Sequence, residues 1–265
     1  MYKKKVSYKK SLGQHFLQDH NIAEKIVRIA DINKNDHVWE IGPGNGILTE
    51  KLKRKTENIT LFELDKDLIP NLKRKFKTLR IINKDVLKCD WNQLLQHNQI
   101  KIVSNIPYNI SSPLLFKIVQ HFSEFQSVTL MIQRELAERL TASPSTKEYG
   151  IITVKLNFFF EIKKKFNVKP HLFKPPPKVQ STVIKLLPKE DLPQVDNFKL
   201  FWKIIDLAFN KRRKMLRVNF RRLLIREKIR ILERKSGIDL RRRGETLNEK
   251  EFVDLYFSVS DLLSR

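Results

Sequence analysis

Residues 105–108 place an amide, a proline and an aromatic ring close together in the chain. The side-chain oxygen of Asn105 and the carbonyl of Ile106 could accept hydrogen bonds from an adenine amino group, whose lone pair is delocalised into the ring. Such acceptors would localise that pair toward an incoming methyl group, while Pro107 fixes the turn and Tyr108 stacks on the base. This chemistry needs positioning and electrostatics rather than a strong general base. The alternative is an Asn-capped strand end followed by a core tyrosine.

A glycine-rich loop precedes this motif in the chain. Three of the seven glycines fall within residues 40–46, Glu-Ile-Gly-Pro-Gly-Asn-Gly. Gly42 and Gly44 would let the backbone approach a ligand closely, and a helix starting after the loop would add amide donors. Ile47 stands where a dinucleotide fingerprint has its third glycine. The loop predicts an adenosine-bearing cofactor without choosing between NAD and S-adenosylmethionine.

Two carboxylates follow at the ends of later predicted strands. Glu63 lies 21 residues past Gly42, where a carboxylate can accept both hydroxyls of a ribose. Asp85 follows the next strand and could accept from an adenine amino group. The alternative is that both are ordinary solvated acids. The motif at 105–108 favours S-adenosylmethionine over NAD.

These residues need strands that end at one edge of a sheet. We predict that strands and helices alternate from residue 21 to residue 141, which is typical of an α/β fold with a mostly parallel sheet covered on both faces. The predicted strands are 37–41, 59–64, 80–83, 101–104 and 127–132. The predicted helices are 21–30, 47–55, 66–77, 113–122 and 134–141. Two further β-rich runs are expected near 150–161 and 181–187.

The C-terminal part of the chain is predicted to be helical. A linker at 187–193 contains two prolines and no periodicity. Beyond it, Gly237 is a candidate helix C-cap, and Thr246-Leu-Asn-Glu249 reads as a capping box that opens a final helix. We therefore predict three parts, which are a basic arm (1–20), an α/β domain that would carry out methyl transfer (21–187) and a helical, basic domain (195–265).

The net charge of +24 is concentrated in the first ten residues and in residues 211–243. Residues 211–243 hold 15 basic and 3 acidic residues, and 11 of the 18 arginines of the chain lie there. A lysine-rich genome would not gather arginine in one segment, and guanidinium groups suit phosphate oxygens. Nucleic acid is therefore the expected partner, with an anionic membrane surface as the main rival. Helical spacing predicts that Arg213, Arg217 and Arg221 share one face.

Several protein classes are excluded by composition. The single cysteine, Cys89, rules out a disulfide scaffold and a zinc site built on clustered thiolates, so we expect no metal. No apolar run approaches the length of a membrane span, and no apolar region follows the basic start. We expect a cytoplasmic, monomeric protein that does not bind membranes.

A proline-rich segment, His171–Ser181, forms a third candidate element. Its prolines predict a stiff extended loop. Phe173 could cover the second face of a base flipped out of its stack. The alternative is that Phe173 packs in the core.

Taken together, these motifs resemble one family, the KsgA small-subunit rRNA adenine dimethyltransferases, whose relatives include the Erm large-subunit methyltransferases. The resemblance covers about residues 7–258. The segments that carry it are Gly13–Leu17, Glu40–Gly46, Glu63–Asp65, Asn105–Ile110, Ala137–Leu140, Tyr149–Gly150, Phe173–Ser181 and Ala208–Lys214.

The resemblance implies a class I, Rossmann-like S-adenosylmethionine-dependent methyltransferase fold with a small helical C-terminal domain. It implies transfer of four methyl groups to two adjacent adenines in a 3′-terminal hairpin of small-subunit rRNA during subunit assembly. By position, it assigns cofactor contacts to His15, Leu17, Gly42, Glu63, Asp85 and Asn105. The family often has Asn where this chain has His15.

Three other functions remain open on the sequence. The Erm branch usually lacks both the 208–214 run and the Gly13-Gln pair. A non-catalytic assembly factor would not need an intact glycine loop or Glu63. A DNA adenine methyltransferase predicts Asp/Asn-Pro-Pro-aromatic instead of Asn-Ile-Pro-Tyr. The candidate RNA-binding residues are Lys211, Arg212, Arg213, Lys214, Arg217, Arg221 and Arg222.

Overall fold

The structure is a computed structural model that describes residue 9, residues 12–95 and residues 99–264. The rest of the predicted basic arm, residues 1–8, 10 and 11, lies outside the described residues. The chain divides into two compact units, the first made of residues up to 137 with 161–188 and the second of 138–160 with 189–265. The predicted methyltransferase domain included 138–160, which instead clusters with the C-terminal helices.

Within the described residues the chain forms nine strands and eleven α-helices. The strands are β1 (Phe16–Leu17), β2 (Val38–Ile41), β3 (Ile59–Phe62), β4 (Arg80–Ile82), β5 (Ile100–Asn105), β6 (Phe125–Gln133), β7 (Phe160–Val168), β8 (Phe173–Lys174) and β9 (Ser181–Pro188). The helices are α1 (His20–Ala30), α2 (Ile47–Lys53), α3 (Ile69–Lys75), α4 (Trp91–Leu94), α5 (Ser111–Gln120), α6 (Arg134–Leu140), α7 (Ile151–Phe159), α8 (Phe198–Asn210), α9 (Leu216–Phe220), α10 (Arg226–Ser236) and α11 (Glu249–Ser264).

Seven of these strands form one sheet in the order β4-β3-β2-β5-β6-β9-β7. The pairs β2/β3, β3/β4, β2/β5 and β5/β6 are parallel, and β9 is antiparallel to β6. Strands β2, β3 and β4 follow one another toward one edge of the sheet. The chain then crosses back, and β5 pairs with the other side of β2. A crevice opens at such a reversal point, outside the carboxyl ends of the strands, where α/β folds bind ligands. The predicted α/β class with a mostly parallel sheet is confirmed.

A side chain joins β2 and β5 where their backbones separate. The pairing of β2 with β5 ends at Trp39 and Ile102. Beyond it, the fully buried hydroxyl of Ser104 donates to the carbonyl of Ile41 and accepts from the Ile41 N–H at 2.9 Å. One hydroxyl therefore satisfies both backbone groups of the last β2 residue, directly before the glycine loop.

Helix α1 shows how local sequence sets the boundaries of an element. The Asp19 side chain accepts from the Ile22 N–H at 2.9 Å and caps the N-terminus. Ala23, Ile26 and Ala30 are fully buried, so one apolar face of the helix packs against the core. Asp31 ends the helix in the left-handed conformation, with its N–H bonded to the Val27 carbonyl.

The second unit is built from helices with an aromatic interior. Phe201, Phe252 and Tyr256 are buried, and the Tyr256 hydroxyl accepts from the Asn197 N–H at 2.9 Å. The Asn197 side chain in turn caps α8 by accepting from the Leu200 N–H at 3.0 Å. No helix among the described residues has the length and apolarity that a membrane crossing requires.

The predicted β-rich run at 150–161 is wrong, because residues 151–159 form α7. The β-branched residues Ile151–Val154 favour a strand locally, but the helix buries most of its surface among apolar neighbours. Tertiary packing therefore overrides the local preference. The strand begins at Phe160, where the helix stops.

Two predictions about the C-terminal helices had different outcomes. The Gly237 cap of α10 is confirmed, with a φ of 66°. The capping box of α11 is formed by Asn248 and Glu251, not by Thr246 and Glu249: each side chain accepts from the other's backbone N–H, at 3.0 and 2.9 Å. An Asn three residues before a Glu satisfies two backbone N–H groups in the same way as a Thr/Glu pair, but two residues further along the chain.

The predicted helical face of Arg213, Arg217 and Arg221 is also wrong. Arg213 lies in the turn after α8, Arg217 lies within α9, and Arg221 follows the end of that five-residue helix. All three are exposed. The basic segment is therefore a succession of short helices and turns.

Candidate active site

The glycine loop leaves β2 with positive φ angles at all three of its glycines. Gly42 and Gly44 have φ values of 69° and 58°, which side chains rarely tolerate. A Cβ atom on Gly44 would lie 2.6 Å from a ring carbon of Phe16, and one on Gly42 would lie 3.2 Å from Pro107. The loop is thus enclosed by β1 on one side and by residues 105–108 on the other. A side chain at either glycine would crowd Phe16 or Pro107, which line the same cleft.

Glu63 follows β3 and is linked to the glycine loop. Its carboxylate, 5% exposed, accepts from the Gly44 N–H at 3.1 Å and from the Asp65 N–H at 2.8 Å. Burial raises the pKa of Glu63 above its ordinary value, although the backbone bonds oppose this shift. Each carboxylate oxygen can accept a further bond, so the group suits a ligand with two adjacent hydroxyls.

Glu40 is a functional candidate that the sequence analysis treated only as part of the loop. Its carboxyl group is 2% exposed and accepts from the Thr49 hydroxyl at 2.6 Å. Burial, with a further contribution from the Glu63 charge, raises the pKa of Glu40 to about 8. An acid inside an otherwise apolar strand, Val-Trp-Glu-Ile, was the signal available in the sequence.

Asp85 lies at the start of a short turn beyond β4. Its side chain accepts from the Leu87 N–H at 2.9 Å, which leaves its second oxygen to face a ligand. Lys117 of α5 holds the same turn, donating to the carbonyls of Leu87 at 2.8 Å and Cys89 at 2.7 Å. Burial lowers the pKa of Lys117. The turn that carries Asp85 is therefore held from both ends.

The amino-terminal segment is attached beside Glu63. Asp65, 3% exposed, accepts from the Gln14 amide at 2.8 Å and forms an ion pair with Lys9. Burial acts to raise the pKa of Asp65, but the bonds from Lys9 and Gln14 outweigh it and lower that pKa. The Gly13-Gln pair of the sequence motif thus fastens the segment that carries His15.

The Asn105 side chain contacts that segment directly. Its Nδ2 donates to the His15 carbonyl at 3.2 Å. The His15 ring is held in turn through its Nδ1, which lies 2.7 Å from the Pro175 carbonyl oxygen. With Nδ2 engaged, Oδ1 is the atom of Asn105 that can accept from a substrate.

Tyr108 lies beside the same imidazole. The two ring centroids are 5.4 Å apart, with an interplanar angle of 32°. The Tyr108 hydroxyl forms a 2.6 Å hydrogen bond with the Ser181 hydroxyl. Burial raises the pKa of Tyr108, so the phenol stays neutral at physiological pH.

The structure does not support the predicted base-clamping role of Phe173. Phe173 is 3% exposed and belongs to the same hydrophobic cluster as Phe16 and Leu17. The pairing of β8 with β1, which places Phe173 opposite Leu17, turns its ring into the core. The core-packing alternative is therefore the correct one for this structure.

One cleft gathers the other predicted residues of the site. It is lined by His15, Leu17, Gly42, Gly44, Glu63, Asp85, Asn105, Ile106, Pro107 and Tyr108. It also includes Leu64, which the sequence analysis missed and which is 51% exposed. An exposed leucine between Glu63 and Asp65 gives the cleft an apolar surface suited to a flat ring. Among the described residues, no group of three or more His, Cys, Asp or Glu side chains could hold a metal ion.

The predicted RNA-binding residues lie in the second unit and differ in their surroundings. Lys211, Arg213, Lys214, Arg217, Arg221 and Arg222 are exposed. Arg212 is exposed too, but its guanidinium group pairs with Glu245 and donates to the Lys147 carbonyl at 2.6 Å. Arg212 is therefore occupied within the protein.

Comparison with known proteins identifies the family of this chain. A family model described as ribosomal RNA adenine dimethylase matches residues 5–261. The chain belongs to the ribosomal RNA adenine dimethylase family. The predicted recognition, fold class and enzyme class are therefore confirmed.

Relatives within this dimethylase family cover nearly the whole chain. A ribosomal RNA small subunit methyltransferase A of Clostridium botulinum (strain ATCC 19397 / Type A) is 41% identical over 97% of this chain and 95% of its own length. The protein of the same name from Malacoplasma penetrans (strain HF-2) is 41% identical over 98% of this chain and 95% of its own length.

Solved structures agree with this assignment. A dimethyladenosine transferase from Plasmodium falciparum is 27% identical with a TM-score of 0.77, covering 93% of this chain and 98% of its own. The 23S rRNA methyltransferase ErmE is 22% identical with a TM-score of 0.70, covering 92% and 99%, and shares the fold.

Proposed function

We propose that this protein transfers methyl groups from S-adenosylmethionine to N6 of two adjacent adenines in a 3′-terminal hairpin of small-subunit, 16S-type rRNA. It acts in the cytoplasm as a monomer on a pre-ribosomal particle. The observation that carries the proposal is the placement of Asn105 in the same cleft as Glu63 and the glycine loop. Membership of the dimethylase family and the names of its 41% identical relatives support the substrate class.

The cleft residues fit S-adenosylmethionine, which supplies an electrophilic methyl group when bound. Glu63 would hold the ribose hydroxyls, and Asp85 would accept from the adenine amino group. Gly42 and Gly44 let the loop backbone turn and pack closely against Pro107 and Phe16, which line the same cleft. Leu64 offers an apolar surface to the adenine ring. His15 and Leu17 line the cleft on the side of the amino-terminal segment.

The target amine is activated by acceptors that are already in position. The Asn105 Oδ1 and the Ile106 carbonyl each accept one N–H of the adenine amino group, which directs its lone pair away from the ring and toward the methyl donor. Because Ile106 is buried and the Asn105 amide is anchored to His15, little reorganisation is needed during the reaction. Tyr108 provides an aromatic face on which the extruded base stacks.

Proton release requires no dedicated base. The amine becomes a cation as the N–C bond forms, and this cation is a far stronger acid than the starting amine. It therefore loses a proton readily to solvent, after which a second methyl transfer can follow on the same nitrogen. The protein contributes by orienting the target adenine and by preventing it from binding in positions where its amino group could not react.

The exposed cations of residues 211–222 would hold the folded rRNA. Contacts to phosphate position a duplex without reading its bases. The weak sequence preference of such contacts suits an enzyme whose specificity comes from the shape of a ribosomal particle.

The test is tritiated methyl transfer to purified, undermethylated small ribosomal subunits, followed by nucleoside analysis. Label in N6,N6-dimethyladenosine of small-subunit rRNA is the expected result. Label that appears only when large-subunit rRNA is supplied would favour the Erm-type alternative. Tight binding to the particle without any label would favour a non-catalytic assembly factor.

A further inference from the structure

The proline-rich segment His171–Ser181 was predicted to bring Phe173 to the target base, but Phe173 packs in the core. Ser181 itself is fully buried at the start of β9, opposite Gln133 of β6. Its hydroxyl oxygen lies 2.6 Å from the hydroxyl of Tyr108. The motif therefore reaches the active site at its last residue.

We propose that Ser181 is a positioning residue for methyl transfer, which holds the Tyr108 ring at the angle required to stack on the target adenine. The proposal rests on the proposed function, because it assumes that Tyr108 receives an adenine.

The two ends of this hydrogen bond differ in rigidity. Ser181 belongs to the segment of β9, Ser181 to Leu186, that pairs with β6. This pairing fixes the backbone position from which the Ser181 side chain extends. Tyr108 lies on a short turn of residues 108–110 that begins directly after Pro107. A half-buried tyrosine on such a turn can rotate about its side-chain bonds unless its far end is held. The bond from the sheet supplies that restraint.

The neighbouring imidazole limits the same ring from another direction. The His15 ring centroid lies 5.4 Å from that of Tyr108, and His15 is itself bonded to the Pro175 carbonyl. The segment 175–181 thus acts on Tyr108 twice, directly through Ser181 and indirectly through His15. A stacking surface held at two points is preorganised for the base.

The test is a double-mutant cycle with Ser181→Ala, Tyr108→Phe and the combined variant. Both single changes remove the same hydrogen bond and leave the aromatic ring in place. We expect each to lower kcat on undermethylated small subunits about fivefold, the effect of losing one hydrogen bond. The combined variant should be no slower than either single one, and the Kd for S-adenosylmethionine should stay unchanged.

Thr182→Val is the matched control. Thr182 is also buried at the start of β9, and its hydroxyl bonds to the Asn167 side chain at 2.8 Å instead of to the site. It should lose thermal stability but keep its kcat. A lower kcat in Ser181→Ala with an unchanged kcat in Thr182→Val would show that Ser181 positions Tyr108, and that destabilising β9 does not by itself slow the reaction.

Wild-type turnover by Ser181→Ala, additive losses in the combined variant, or an equal loss in Thr182→Val would each overturn the proposal. If Ser181→Ala does not fold, Tyr108→Phe decides alone, because a change on a half-exposed ring leaves the core intact. Failure of the proposed function looks different, since the wild-type protein itself would then give no labelled dimethyladenosine.

Discussion

The Asn105 side-chain amide donates to the His15 backbone carbonyl at 3.2 Å, across 90 residues of chain. The bond joins the end of β5 to the segment that leads into β1. It orients the amide so that its oxygen is free to accept from a substrate. The amide that we propose to be catalytic is thus oriented by a backbone group, whichever side chain stands at position 15.

Replacing Asn105 tests this arrangement. Asn105→Ala should lower kcat by about 10²- to 10³-fold, the loss typical of one preorganised electrostatic group. Asn105→Asp keeps an acceptor but loses the donor to His15, and should be similarly impaired because a carboxylate is repelled by that carbonyl. Single-turnover methyl transfer measures the effect. Binding to the particle should survive in both, and normal turnover by Asn105→Ala would contradict its assigned role.

Glu63 should determine cofactor affinity. Glu63→Ala removes the buried carboxylate that we propose binds the ribose, and it leaves the Gly44 N–H without its acceptor. We expect the binding of S-adenosylmethionine to weaken by about 1.5–3 kcal/mol. Calorimetry measures this change. The control, Glu50→Ala, removes an equal charge from the exposed side of α2 and should bind S-adenosylmethionine normally. Equal affinities of wild type, Glu63→Ala and Glu50→Ala would argue against the ribose contact.

Glu40 should make stability depend on pH. Its folded pKa of about 8 lies above the ordinary value of 4.5, so the folded protein holds a proton that the unfolded chain releases. The associated stability is present below about pH 4.5 and declines as the pH rises to about 8. Glu40→Gln removes this decline and keeps an acceptor for Thr49. Relative to wild type, it should gain on the order of a few kcal/mol in unfolding free energy at pH 9. Parallel pH profiles in urea unfolding would be evidence against a buried, protonated Glu40.

Arg212 and Arg213 should differ although they are adjacent. Arg213→Ala should reduce the log–log salt slope of particle binding by roughly 0.7–0.9, since one phosphate contact is lost. Arg212→Ala should leave that slope unchanged but lower thermal stability, because it removes bonds to Glu245 and to the 146–147 backbone. Equal slope changes in the two variants would show that Arg212 also contacts RNA.

Thr129 offers a stabilising substitution. Its buried hydroxyl in β6 has no hydrogen-bond partner in the part of the chain that the structure describes. Thr129→Val keeps the shape and removes the desolvated polar group, which should raise the unfolding free energy by about 1 kcal/mol. Thr182→Val, which loses a real bond to Asn167, should be destabilised instead. Denaturant unfolding of both variants checks the contrast.

Elements with local signals could be located from the order of the residues alone. The glycine loop, the strand-end acids Glu63 and Asp85 and the residues 105–108 could be located because parallel strands bring their carboxyl ends to one edge. The cap of α10 at Gly237 followed from the same kind of short-range rule. These predictions needed only neighbouring residues and the known direction of a βα alternation.

Tertiary structure decided where side chains with two plausible environments lie. Phe173 faces the core because β8 pairs with β1, Arg212 faces its own unit because Glu245 lies nearby, and 151–159 are helical because apolar neighbours surround them. The partnership of Ser181 with Tyr108 likewise joins residues 73 positions apart. Such contacts depend on which distant segments meet after folding, and the pattern of residues within any one segment does not contain that information.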